Sequence, residues 1–228
     1  MQIIAHRGAW NLPQAGQTAN SLPAFEQALR HGWGIEVDIR DYNGELRVSH
    51  NPANTDSLPL HILLNCYISQ NSTACIAFNI KADGLQSLLT EQLNKHHIKH
   101  YFTFDMSIPN TLEDQRANLN FFLRQSEHEQ SLQHLGRLYQ TCKGLWIDQF
   151  EADERVLAYN LCSIPTHIEA GKHICFVSPE LHAWGRKDNY YLEVWPKLKH
   201  IADDLPGAPI YLCTDYPKEA EDFFNAKN

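Results

Sequence analysis

The chain has 228 residues, 43% hydrophobic and 20% charged, with a formal net charge of −8 at pH 7, which is the profile of an ordinary globular protein able to bury a sizeable core. That balance excludes a disordered chain and argues against binding to nucleic acid, which calls for a basic face. No run approaches the roughly 18 apolar residues of a membrane span, and "MQIIAHRGAW" lacks the basic start and apolar stretch of a signal peptide, so the cytoplasm is the expected compartment.

In chain order, residues 2–5 read as a first strand that ends in His6-Arg7, and residues 21–31 as a helix with Leu22, Phe25, Ala28 and Leu29 on one face. Residues 35–40 alternate strictly: Ile35, Val37 and Ile39 on one face, Glu36, Asp38 and Arg40 on the other. Tyr42-Asn43-Gly44 signals a turn into a short extra strand over 45–49, a hairpin arm. Further strands fall at 75–80, 101–104, 120–123, 145–148, 173–177 and 209–213. Helical patterns lie between them: Leu85, Leu88, Leu89 and Leu93 share a face, residues 132–142 and 190–202 follow, and 218–226 close the chain. Weaker helical patterns cover 58–69, 111–119 and 155–170.

Eight principal strands alternating with helices, with no linker or repeat, predict a single domain over 1–228 with the architecture of a (β/α)₈ TIM barrel. A doubly wound open sheet is the alternative, but no G-x-G-x-x-G follows the first strand. The six cysteines are scattered without a C-x-x-C pair, so free thiols are expected rather than a zinc site or disulfides.

Barrel chemistry gathers at the C-terminal ends of the strands. Those ends carry His6 and Arg7, Glu36 and Asp38, His50, Asn79 and Lys81, Asp105, Arg124 and Ser126, Asp148, Ser178 and Glu180, then Thr214 and Asp215. Strand ends border loops and are often polar for that reason alone. In an open sheet Glu36 and Asp38 would form a solvated face. Inside a barrel they point inward, where unpaired charge is costly. Their partner is then a hard cation, Mg²⁺ or Ca²⁺, or an ion pair with Arg40 or Lys81. A lone histidine at such a strand end is more often structural, but His6 and His50 together flank the acidic pair and suit general acid–base work near neutrality. Arg7 and Lys81 can hold an anion or serve as ion-pair partners.

The segments "IIAHRG", "NSLPAFEQALRHG", "GIEVDIR" and "LRVSHNP" resemble the glycerophosphodiester phosphodiesterase family, with "FNIK" and "YLCTDYPKEA" extending the likeness. That family is a metal-dependent (β/α)₈ barrel related in fold to phosphatidylinositol-specific phospholipase C. The resemblance implies hydrolysis of a small soluble phosphodiester, a glycerol, polyol or sugar derivative. It makes His6 and His50 the acid/base pair, Glu36, Asp38 and Asn79 the ligands of Mg²⁺ or Ca²⁺, and Arg7 and Lys81 the phosphate contacts.

Three positions depart from the family pattern. Ala19 stands where the family has Glu beside the metal, Asn79 replaces the third metal carboxylate, and Asn51 replaces the Asp after the second histidine. Asn79 still offers an amide oxygen, and Asp83, Asp105 and Glu180 are candidate substitutes. Two rival readings stay open. One is a barrel that binds a phosphorylated ligand without turnover. The other is a sugar-phosphate isomerase or an aldolase, the latter with Lys81 as its Schiff-base amine.

Overall fold

Strands and helices alternate through most of the computed structural model, which describes residues 1–12, 18–130 and 132–226. The chain divides into two compact units, Ile4–Phe121, and Phe122–Asn228 together with Met1–Ile3.

In the first unit, β1 (Gln2–Ala5) leads to α1 (Leu22–Arg30), β2 (Gly34–Tyr42) and the arm β3 (Glu45–Val48) and β4 (Leu58–Pro59). Then come α2 (Leu60–Ser69), β5 (Ile76–Ile80), α3 (Gln86–Lys95), β6 (Tyr101–Phe104) and α4 (Ile108–Arg116). Strands β1, β2, β5 and β6 run parallel in that order. β2 is long enough to serve two neighbours on one edge. Its first residues pair with β1, and its last four turn antiparallel to β3. The expected hairpin arm is present, lengthened by β4 where a helical start was expected.

Local chemistry explains α1. Ser21 caps it, its Oγ accepting from the Ala24 N–H at 3.4 Å, and Pro23 sits in the first turn, where it costs no hydrogen bond. Phe25, Ala28 and Leu29 are buried, and α1 packs on β2 and α2. Ile35, Val37 and Ile39 of β2, with Ile76, Phe78 and Ile80 of β5, fill the apolar side of the sheet. The opposite side carries Glu36, Asp38 and Asn79.

The second unit adds β7 (Phe122–Gln125), α5 (Arg137–Thr141), β8 (Gly144–Ile147), α6 (Glu154–Glu169), β9 (His173–Val177), α7 (Ala183–Arg186), α8 (Tyr191–Asp204), β10 (Ile210–Thr214) and α9 (Pro217–Asn225). Its strands β7, β8, β9 and β10 are parallel neighbours in chain order. Two buried polar knots sit on this sheet. In one, the His167 ring bridges Tyr139 Oη (2.8 Å) and Gln125 Oε1 (3.0 Å). In the other, Glu180 accepts from the Ser178 and Thr214 hydroxyls and from the Asp215 N–H, while Trp195 Nε1–H donates to Ser178 Oγ. The six cysteines are free thiols, four of them buried. Among the described residues no helix is long and apolar enough to cross a membrane.

Candidate active site

The site is built on the first unit, where β1 ends in the turn His6-Arg7-Gly8. Gly8 has φ +83°, and a Cβ there would lie 2.8 Å from the Ala24 carbonyl carbon, so only glycine lets the turn close on α1. Arg7 itself is left-handed, φ +57°, an unfavourable conformation for a residue with a side chain. Its backbone N–H donates to Glu36 Oε2 at 3.1 Å, which holds it there.

Glu36 and Asp38 are 1% and 0% exposed. The parallel register sets Asp38 against Asn79 and Glu36 against Ala77, so Glu36, Asp38 and Asn79 share one face. Asp38 Oδ2 accepts from Asn20 Nδ2 at 2.8 Å and lies 3.0 Å from Arg7 Nε. Asp38 Oδ1 lies 3.4 Å from Lys81 Nζ, which also reaches Asp105 Oδ2 at 3.4 Å. His6 Nε2 stands 4.0 Å from Glu36 Oε2. Burial, and then the charge of Asp38, push the Glu36 carboxyl up to about 7, against the opposing pull of His6, Arg7 and Lys81.

Among the described residues three buried oxygens on this face accept no hydrogen bond: Glu36 Oε1, Asn79 Oδ1 and Asp38 Oδ1, the last having only the ion-pair contact of Lys81 at 3.4 Å. Each orphaned buried acceptor costs about 1–3 kcal/mol, and together they form an all-oxygen donor set. Two carboxylates and an amide suit a hard divalent ion such as Mg²⁺ or Ca²⁺. Among the described residues no three His, Cys, Asp or Glu side chains cluster for a metal. The third oxygen here is an amide, so the set carries two charges. The ion-pair partner expected at Lys81 is present on Asp38 as well. Arg40 instead donates its Nε–H to the His50 carbonyl at 3.1 Å.

His50, exposed, borders a cavity of about 780 Å³ whose walls include Arg7, Ala19, Asn20, Arg47, Asn51 and Asp56. Four of the expected site residues, His6, Arg7, Asn79 and Lys81, thus gather around the two acids, Glu36 and Asp38, and the seventh, His50, shares the cavity wall with Arg7. Of the candidate substitutes for a third ligand, Asp83 is exposed and accepts from the Ser107 hydroxyl at 3.3 Å, and Asp105 pairs with Lys81. Glu180 belongs to the second unit, where three donors occupy its carboxylate. Asn20 was not among the expected site residues. It is left-handed (φ +60°), receives its place from an N–H···O bond to Arg7 O at 2.9 Å, and orients Asp38. An Asn directly before the Ser-x-Pro of a helix start is the signal that marks such a position.

The parallel strands, intervening helices and acid-lined face define the class of fold, and solved structures share it. No family model matches the chain, and no curated protein matches it in sequence. A glycerophosphodiester phosphodiesterase from Parabacteroides distasonis superposes with a TM-score of 0.67 at 17% identity, covering 98% of this chain and 96% of that one. An Oleispira antarctica phosphodiesterase, solved in complex with the product sn-glycerol-3-phosphate, gives 0.69 at 14% identity over 99% and 97%. A glycerophosphodiester phosphodiesterase from Agrobacterium tumefaciens gives 0.60 at 16% identity over 98% of each chain. At such identities the likeness is one of fold.

Proposed function

We propose that the protein is a divalent-metal phosphodiesterase of the glycerophosphodiester phosphodiesterase family, acting on a small soluble phosphodiester of a glycerol, polyol or sugar in the cytoplasm. The reading takes the eight parallel strands as one (β/α)₈ barrel domain. The observation that carries it is the trio of buried oxygens without hydrogen bonds on Glu36, Asp38 and Asn79, set beside His6, Arg7 and Lys81, with His50 on the cavity wall that Arg7 shares. The free cysteines suit a reducing compartment.

An ion of Mg²⁺ or Ca²⁺ held by those oxygens would supply charge stabilisation to the transferring phosphoryl group. Arg7, on the cavity wall and paired through Nε with Asp38, would meet a phosphate oxygen with the rest of its guanidinium. Lys81 adds a second positive charge beside Asp38. His6, beside Glu36, and His50, on the cavity wall, divide the proton work: one accepts the proton of the attacking hydroxyl, the other returns one to the leaving alcohol. Asn20 and the Arg7 backbone keep the acids in place.

The pairing of Asp38 with both Arg7 and Lys81 favours a second reading, a phosphate-binding module whose acids are neutralised by the protein itself. The aldolase reading fares worse, since Lys81 Nζ is engaged by two carboxylates. Hydrolysis of glycerophosphodiesters with and without chelator tests the proposal. Metal-dependent turnover supports it, binding without hydrolysis favours the module, and activity indifferent to chelator and to added Mg²⁺ or Ca²⁺ removes the metal.

A further inference from the structure

The cavity beside the acids holds a second arginine to which the proposed chemistry gives no task. We propose that Arg47 receives a second anionic group, carried on the alcohol part of the substrate, so that the preferred diester bears two separated negative charges. The inference rests on the phosphodiesterase reading of the site.

Arg47 lines the same cavity as Arg7 and His50. Its guanidinium is already positioned: Nη1–H donates to Ser57 O at 3.0 Å and Nη2–H to Glu45 Oε2 at 2.9 Å, while Nε is buried without an acceptor. Glu45 is 57% exposed, so that ion pair is screened and weak. Arg47 also stands directly opposite Arg40 across the antiparallel β2–β3 pair, on the same face. Like charges so opposed destabilise a sheet, and an anion between or beside them relieves the repulsion. The rest of the wall joins the hydroxyls and amides of Thr18, Asn20, Ser49, Asn51 and Thr55 to apolar groups such as Leu22 and Val48 and to one carboxylate, Asp56, which Arg7 and Arg47 outnumber. The hydroxyls and amides suit a hydroxylated alcohol. A volume of about 780 Å³ lies toward the upper end of ordinary ligand sites, leaving room for a second phosphate beyond the scissile one. The planar guanidinium fork matches phosphate in geometry.

Steady-state hydrolysis of glycerophosphoglycerol and bis(glycerophospho)glycerol by the wild-type protein with Mg²⁺ tests this. The doubly charged compound is expected to show kcat/KM about tenfold higher, after allowance for its two equivalent bonds, with the gain in KM. Arg47→Gln brings the ratio to about one, and Arg47→Lys, which keeps the charge but loses the fork, gives an intermediate value. Arg47 also anchors Ser57, so thermal melts accompany both variants. If the Gln variant does not fold, the wild-type and Lys ratios decide. A wild-type ratio near one, or a ratio unchanged by Arg47→Gln, overturns the inference. If neither compound is hydrolysed, the phosphodiesterase reading fails, and calorimetric binding of the same two compounds decides this inference alone. Binding about tenfold tighter for the doubly charged one upholds it, and equal binding overturns it.

Discussion

Asp38 and Asn79 face each other directly across the β2–β5 pair, both buried, each with a side-chain oxygen that accepts no hydrogen bond among the described residues, Asp38 Oδ1 having only the ion-pair contact of Lys81 at 3.4 Å. Only one of the two carries charge. Asn79→Asp keeps the length of the side chain and adds the third charge, so it should tighten Mg²⁺ and Ca²⁺ binding by about tenfold or more, since ligand charge tunes such sites. It should also destabilise the metal-free protein, because a third buried carboxylate then lacks a partner. Calorimetric titration with each ion, alongside metal-free thermal melts, reads both effects. Equal or weaker binding would show that Asn79 does not face the ion.

His6→Ala and His50→Ala should each lower turnover by about 10²–10⁴-fold, the usual worth of a general acid or base. Neither ring belongs to the apolar core, so unfolding temperatures should stay close to wild type. Full activity in either variant would remove that histidine from the proton transfers.

Glu36 gives the metal-free protein a specific pH response. Its carboxyl is raised from 4.5 to about 7, so the folded state binds the proton more tightly than the unfolded chain. The associated stability is complete below pH 4.5 and is lost as pH rises through about 7, an effect on the order of 3 kcal/mol. Denaturant melts with chelator present should therefore show wild-type stability falling between pH 5 and pH 8 relative to Glu36→Gln, a comparison from which the opposing contribution of His167 cancels. The variant should also be the more stable of the two metal-free proteins at pH 8 and should not bind metal. A difference between the two proteins that stays constant across that range would show that Glu36 is held ionised by Arg7 and Lys81.

His167 predicts the opposite slope in acid. Burial, assisted by Lys172, lowers it from 6.5 to about 4, so the native state keeps the ring neutral between Tyr139 and Gln125. That stability is complete above pH 6.5 and is lost as pH falls toward 4, roughly 3 kcal/mol at the limit. In urea melts at pH 7, 5.5 and 4.5 the stability lost on substituting His167→Gln should shrink as the pH falls, a difference from which the contribution of Glu36 cancels. An acid response identical to wild type in that variant would place the titration elsewhere.

Much of the site was legible because its signal is periodic. The alternation through Glu36 and Asp38 survives in β2, and β1, β6 and β9 match the expected runs 2–5, 101–104 and 173–177. What stayed hidden depends on tertiary partners. β7 covers Phe122–Gln125 instead of 120–123, because polar Gln125 is buried by hydrogen bonds to Asn160 and Ser163 and by the His167 ring. The helix expected over 132–142 is broken at Gly136, φ +51°, into a 3₁₀ turn (Leu132–Leu135) and α5. β4 exists only through its pairing with Arg47 and Val48, which no local pattern announces. The same holds for Arg47 and Asn20, whose roles come from residues 10 and 18 positions away.

Because β2 continues unbroken past Asp38 into the strand that holds β3, the acids and the arm are phased by a single ribbon. Adding one residue between Asp38 and Tyr42 would turn the following side chains to the opposite face. Arg40 would leave the side it shares with the acids. The segment from Asn51 to Asp56, between His50 and the Ser57 carbonyl that holds Arg47, is under no such constraint, since it lies in the loop from β3 to β4 on the cavity wall. Evolution or an engineer can therefore rewrite ligand preference by lengthening or recomposing that loop while the acid pair stays fixed in register, whereas length changes in β2 would disturb both at once.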